Sequence, residues 1–271
     1  MDRIGIEFIS VFGLDPVAFV ELTARLGCRY LGLAPAPIVG NPHGYPAWSL
    51  RENPSLQRDT LAALADHDVR ISVGEGFLIR PGAEIADCAA DLDLMARLGA
   101  MRVNVTSIES DPARNRDQFS SFADMANERG LPVTLEFLPG FAIGTFDTAL
   151  ALIEACNAPN TSVLIDAMHF FRTGGTNAQL SGIAADRIGY AQLCDVPMES
   201  TFASYMDEAR SERGAPGEGE LPLAGFVNAL PADCILGLEI PMQARALAGV
   251  APFDRLSPAV AAARSLLSPR E

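Results

Sequence analysis

The chain has 271 residues, 49% of them apolar and 20% charged, and a formal net charge of −14 at pH 7. That much apolar material supports a large core and excludes global disorder, and the length suits one closed α/β barrel of about 250 residues. The acidic balance, with no Lys/Arg-rich run, excludes the basic footprint that a nucleic-acid partner needs.

The opening Met-Asp-Arg-Ile-Gly-Ile-Glu has neither a basic n-region nor an apolar h-region, so no secretory leader is expected. No run of about 18 uncharged apolar residues exists, so no membrane span is expected either. Cys28, Cys88, Cys156, Cys194 and Cys234 are scattered, odd in number and never spaced CxxC. They read as small core residues in a reducing cytoplasm. We expect a single cytoplasmic domain over 1–271.

In chain order, Ile4–Ile9 is a short apolar segment that reads as a first strand. Asp15-Pro16 supplies an N-cap and an N1 proline for a helix ending at Gly27, with Phe19, Leu22 and Leu26 on one face. Tyr30–Leu33 is the second strand. A proline-rich loop follows, carrying His43, Tyr45 and Trp48. A loop of this length inside a barrel reads as a lid or binding loop. A helix near Leu56–His67 leads to the strand Val69–Glu75, then a helix over 84–98 to the strand Arg102–Thr106. A helix over 113–129 precedes Val133–Phe137, and one from Thr148 to Cys156 precedes Ser162–Asp166. The seventh and eighth strands are Ile188–Cys194 and Cys234–Glu239, and a last helix runs from Ser257 to Leu267. Ala-Arg-Leu-Gly occurs at 24–27 and again at 96–99, each time directly before a strand, a spacing of about two βα units. This alternation predicts parallel strands in a (β/α)8 TIM barrel over a doubly wound open sheet, which would want a GxGxxG after its first strand.

In such a barrel, catalytic groups stand at the carboxyl ends of the strands. Those ends are Glu75, Asn104, Glu136, Asp166, Gln192 and Glu239. Each could merely cap the next helix or face water. Together, however, Glu136, Asp166, Gln192 and Glu239 come one per unit from strands five to eight. Three carboxylates in one pocket raise each other's pKa and need neutralising, which a divalent cation does. All four are hard oxygen donors, which favours Mn²⁺ or Mg²⁺ over Zn²⁺. His169, one of three histidines, follows Asp166 within one helical turn.

Leu-Glu-Phe at 135–137, Asp-x-x-His at 166–169, Gln-Leu-Cys-Asp at 192–195, Pro-Gly-Glu-Gly at 216–219 and Leu-Glu-Ile at 238–240 resemble the xylose isomerase-like TIM-barrel superfamily. That group includes sugar isomerases and epimerases, inosose dehydratase, 3-dehydroshikimate dehydratase and endonuclease IV. The resemblance implies Glu136, Asp166, Gln192 and Glu239 as metal ligands, His169 beside the substrate, and Arg213 facing the substrate. A homodimer is a habit of the family. Many of its epimerases carry His where this chain has Gln192, whereas the 3-dehydroshikimate dehydratase branch is similar in using Gln there with an Arg before Pro-Gly. The trinuclear histidine-rich site of endonuclease IV cannot be built from three histidines.

A metal that holds a carbonyl and its neighbouring hydroxyl acidifies the C–H between them. Glu136 or Glu239 would take that proton and return it, giving an isomer or epimer of a small polyhydroxylated carbonyl substrate. If a β-hydroxyl leaves instead, assisted by His169, the result is dehydration. A non-catalytic metal- or sugar-binding barrel is the third reading. Further substrate contacts are assigned to Arg172, Glu75, Asn104, His43 and Trp48. Each also has a plainer reading, as a surface arginine, a partner for Arg80, a helix cap or loop packing.

Overall fold

Eight apolar runs become eight parallel strands, closed in the order β1 to β8 with β8 paired back to β1. The structure is a computed structural model, and it describes residues 3–38 and 40–267. The strands are β1 (Ile4–Ile6), β2 (Tyr30–Leu33), β3 (Arg70–Ile79), β4 (Val103–Ser107), β5 (Val133–Glu136), β6 (Thr161–Asp166), β7 (Ile188–Leu193) and β8 (Leu236–Leu238). The helices on the outside are α1 (Pro16–Arg25), α2 (Pro54–Asp66), α3 (Ala89–Arg97), α4 (Pro112–Glu128), α5 (Phe146–Cys156), α6 (Ala167–Arg172) and α7 (Asn177–Ser181). After β7 come α8 (Tyr205–Ser211), α9 (Leu223–Ala229), α10 (Gln243–Leu247) and α11 (Pro252–Leu267). No helix among the described residues is long and apolar enough to cross a membrane.

Local chemistry starts these helices. Asp15, Asn53 and Asp111 cap α1, α2 and α4, each followed at once by proline, and each accepts from backbone N–H groups of the first turn. At the other end, α11 is fastened by the buried Arg255, whose guanidinium donates to Pro241 O and Ser10 O. The strands are buried on both faces, which is why they read as continuous apolar runs and not as alternation.

Three strands differ clearly from expectation. β8 keeps only Leu236–Leu238 of the expected Cys234–Glu239. β1 stops at Ile6, and Phe8–Val11 forms a 3-10 turn ending at Phe12 with φ +50°. The turn is held by Ser10, whose hydroxyl donates to Leu238 O and accepts from Ile240 N. β3 does not end at Glu75 but continues to Ile79, with its pairing to β4 shifting between Gly74 and Phe77. The shift is a bulge in which Gly76 takes φ +97°, a conformation that glycine adopts without strain. The helix expected over 84–98 is a 3-10 turn (Ile85–Cys88) followed by α3.

Candidate active site

The carboxyl ends of the strands open into a cavity of about 430 Å³. Glu75, Glu136, Glu239, His169, Arg210 and Arg213 supply its polar lining. Its walls are mostly apolar: Phe8 and Ile9 from the turn after β1, Phe77 and Leu78 from the extension of β3, and Met206 and Ala209 from α8.

Each polar group is fixed by a neighbour. Asp166 caps α6 by accepting from His169 N at 2.9 Å, so strand end and helix start are joined through one carboxylate. Its other oxygen accepts from Arg213 Nη1 at 2.7 Å. The same guanidinium donates through Nη2 to Glu239, so it bridges β6 and β8. Asn104 donates to Glu136 at 2.7 Å and to Glu75 at 3.2 Å, which links β3, β4 and β5. Gln192 donates to Glu239 at 3.2 Å. His169 is 2% exposed; its Nδ1 lies 2.6 Å from the Tyr205 hydroxyl and its Nε2 lies 3.7 Å from Glu136.

Burial dominates the electrostatics. It pushes the carboxyls of Glu75 and Glu136 well above the usual range, and neighbouring carboxylates add to the effect. Glu239 is pushed up to about 7 by burial, even with the Arg213 guanidinium pulling it down. Burial also opposes ionisation of Asp166, yet His169, Arg213 and the His169 N–H together hold it below the usual range. The imidazole itself is lowered to about 4 by burial, so at pH 7 it is neutral and the guanidinium and the N–H carry that effect. In the tautomer in which Tyr205 donates to Nδ1, the ring proton sits on Nε2 and faces Glu136.

Of the residues read from the sequence, Glu75, Glu136, His169, Arg213 and Glu239 meet at the cavity. Asp166, Gln192 and Asn104 stand behind them, fully buried. Three expected substrate contacts lie elsewhere. Arg172 forms a two-pronged pair with Glu208 (2.6 and 2.9 Å) and donates to Pro197 O, tying α6 to the loop after β7. Trp48 donates to Gly13 O at 2.9 Å, and His43 packs against Tyr45 with ring centroids 5.2 Å apart. Neither lines the cavity; the proline-rich loop reaches it through Ile38 instead. The sequence reading missed Tyr205, Met206 and Arg210, which share a helix hidden in a loop of mixed polarity. It also missed Glu7, whose place at the end of β1 was masked by reading that strand through to Ile9.

A hard divalent cation fits the donor chemistry of Glu136, Asp166, Gln192 and Glu239. Gln192 Oε1 and Glu75 Oε1 are buried oxygens with no hydrogen-bond partner. As placed, no group of three His, Cys, Asp or Glu among the described residues is arranged to hold a metal ion. One of the four donors is an amide, and the Arg213 guanidinium stands between Asp166 and Glu239.

Comparison with known proteins agrees with the fold. A family profile described as xylose isomerase-like TIM barrel matches residues 20–265. The chain belongs to that family. It is similar to a 3-dehydroshikimate dehydratase of Pseudomonas putida, 28% identical over 141 residues, a match covering 50% of this chain and 22% of that protein. It is also similar to an inosose isomerase of Bacillus subtilis, 25% identical over 116 residues, covering 42% of this chain and 40% of that one. The matches thus span well under half the length of these curated relatives. Among solved structures, the IolI protein with a bound zinc atom superposes with a TM-score of 0.79 at 16% identity, covering 98% of each chain. These xylose isomerase-like relatives are enzymes, among them an isomerase and a dehydratase.

Proposed function

We propose that this barrel is an enzyme that abstracts a proton α to a carbonyl in a small hydroxy-carbonyl compound and returns it to give an isomer or epimer. One observation carries the reading: Glu136 on β5 and Glu239 after β8 face the same cavity, and both are held above the usual carboxylate range. In such a pair the member that ionises serves as base while the one that stays protonated serves as acid. Arg213, on Glu239, offers positive charge to an enolate oxygen developing beside it. The neutral His169, with its Nε2 proton toward Glu136, orients that carboxylate. The apolar walls keep water from the carbanion.

Glu136, Asp166, Gln192 and Glu239 would hold the divalent ion, with Mn²⁺ or Mg²⁺ matching an all-oxygen donor set. Bound there, it would supply Lewis-acid polarisation of the substrate carbonyl and neighbouring hydroxyl. The test is a screen of hydroxy-carbonyl compounds with Mn²⁺ in D₂O. Solvent deuterium should enter the substrate carbon, and Glu136→Gln and Glu239→Gln should each slow that entry by about 10²–10⁴-fold. Full exchange in both variants would overturn the reading, and binding without exchange would mark a binding barrel.

A second reading, dehydration, is supported by the apolar walls and by Gln192. An apolar cavity favours a flat, partly unsaturated product over a polyol, and the match to a dehydratase points the same way. Ultraviolet absorbance followed in the same screen separates the two. Exchange without a new chromophore marks an isomerase or epimerase, and a new conjugated chromophore marks a dehydratase.

A further inference from the structure

One buried carboxyl is not used by this chemistry. Glu7 has no exposed surface, stands at the carboxyl end of β1 and does not line the cavity. Two glycines on the flanking strands make room for it. A Cβ on Gly32 of β2 would come within 1.8 Å of Glu7 Oε2, and one on Gly237 of β8 within 1.7 Å of Oε1. Any side chain at either position would expel the carboxyl from the barrel interior.

Its hydrogen bonds then bear on its state. Glu7 Oε1 lies 2.6 Å from the Tyr190 hydroxyl, which lies 2.9 Å from Ser72 Oγ, which lies 3.0 Å from Leu31 O. Three hydrogen bonds in a row need three protons, and the two hydroxyls own only two. With Glu7 ionised, Tyr190 donates to Oε1 and Ser72 can serve only Tyr190 or Leu31 O, while Oε2 is left a buried anionic oxygen with no hydrogen-bond partner. With Glu7 protonated on Oε1, the chain closes in one direction: Glu7 to Tyr190, Tyr190 to Ser72, Ser72 to Leu31 O. All four groups are buried, where an unmade hydrogen bond is costly.

Resting on the functional reading above, we propose that Glu7 is a positioning residue of the site, a neutral carboxylic acid that donates to Tyr190 and keeps the barrel floor uncharged beneath Glu239 and Glu136. Tyr190 precedes Gln192 by two on β7, so it shares that residue's inward face one layer deeper. The groups that act on Glu7 are Tyr190 from β7, Glu239 from β8, Glu136 from β5, Glu75 from β3 and Arg213 from the loop after β7. Burial and the carboxylates at Glu239 and Glu136 push Glu7 up to about 8, in agreement with the proton count.

The discriminating variant is Glu7→Gln, whose amide donates to Tyr190 as the acid would. The infrared difference between wild type and Glu7→Gln at pH 7 should show the carbonyl band of a protonated carboxyl, and that band should fade as pH rises through about 8. The melting temperature of the wild type should fall more steeply from pH 5 to pH 8 than that of the variant, because the folded carboxyl holds a proton that the unfolded one has lost. Any alkaline fall in turnover near pH 8 should weaken in Glu7→Gln. Only carboxylate bands in the difference spectrum, or parallel melting curves, would overturn the proposal. If Glu7→Gln does not fold, Tyr190→Phe takes its place: loss of the group that the acid donates to should shift one protonated-carboxyl band relative to wild type, and an unshifted spectrum would overturn the proposal. The infrared and melting results need no substrate, so an enzyme that exchanges no proton refutes the proposed function without touching the assignment of Glu7.

Discussion

Arg213 is the residue on which the charge balance of the site turns. Its guanidinium is 3% exposed and pairs with two carboxylates whose environments pull apart, Asp166 below the usual range and Glu239 pushed up to about 7. Removing it leaves two buried acids without their cation. Arg213→Ala should cost about 3–5 kcal/mol in a chemical denaturation experiment, the range for breaking a buried pair. The sign of its effect on Glu239 follows from charge: without the guanidinium the carboxyl is protonated to higher pH. If Glu239 is the base, the acid limb of kcat/KM lies near pH 7 in the wild type and moves upward in a variant such as Arg213→Gln. An acid limb unmoved in that variant would assign the base elsewhere.

At the scale of elements, the segment between β7 and α9 organises the cavity mouth. α8 carries Tyr205 to His169, Met206 and Ala209 to the cavity wall, and Glu208 to Arg172. Ser200 donates to the same Glu208 carboxylate, so three segments converge on one side chain. Glu208→Ala should release α8 at a cost of about 2–3 kcal/mol, the value of hydrogen bonds to a charged group. It should speed amide exchange across α8 and raise KM more than it lowers kcat, since the reacting carboxylates stand on other strands. Unchanged exchange in α8 would show that the helix is held by packing alone.

Much of this was legible in the chain. The Asp15-Pro16 pair announced a helix start, uniform apolar runs announced buried parallel strands, and polar residues at strand ends announced the site. What stayed hidden depends on contacts far apart in sequence. Gly74 and Gly76 on either side of Glu75 look like a stop, yet Gly76 makes a bulge that lets β3 run on as a cavity wall. Arg172 looks like a surface residue on a glycine turn until Glu208 meets it from 36 residues away. Trp48 in a proline loop suggests a lid, but its indole N–H is taken by Gly13. No local pattern encodes those partners.

The whole molecule carries its acidity inward as well as outward. Glu7, Glu75, Glu136 and Glu239 are all held above the usual carboxylate range, and each therefore lowers stability as pH rises between its unfolded and folded pKa. Asp166 acts oppositely: its stabilising share is present at neutral pH and is lost on acidification through its depressed pKa. Stability should be greatest in mildly acidic solution and decline toward pH 8. An excess of Mn²⁺ at about 100 times its Kd should add about 2.7 kcal/mol. If the ion binds at the proposed oxygens, metal and protons compete there and the gain in melting temperature should be larger at pH 8 than at pH 5. A gain that is equal at both values would place the ion outside the carboxylate cluster.

The two feet of the loop after β7 meet at a single residue. The Asp195 carboxylate accepts from Gly217 N at 2.8 Å and Leu221 N at 3.0 Å, while its backbone exchanges both hydrogen bonds with Gly214. The clasp fixes where the segment leaves and rejoins the barrel, and between those points Tyr205, Glu208 and Arg213 tie it to His169, Arg172 and the strand-end carboxylates. That makes 196–212 an exchangeable cassette: a sister barrel's segment that carries its own carboxylate for Arg172, spliced in with Arg213 kept, should fold on this scaffold and bring its own substrate preference with it. New specificity could then arise by recombination at two points, with the strands and their carboxylates left as they are.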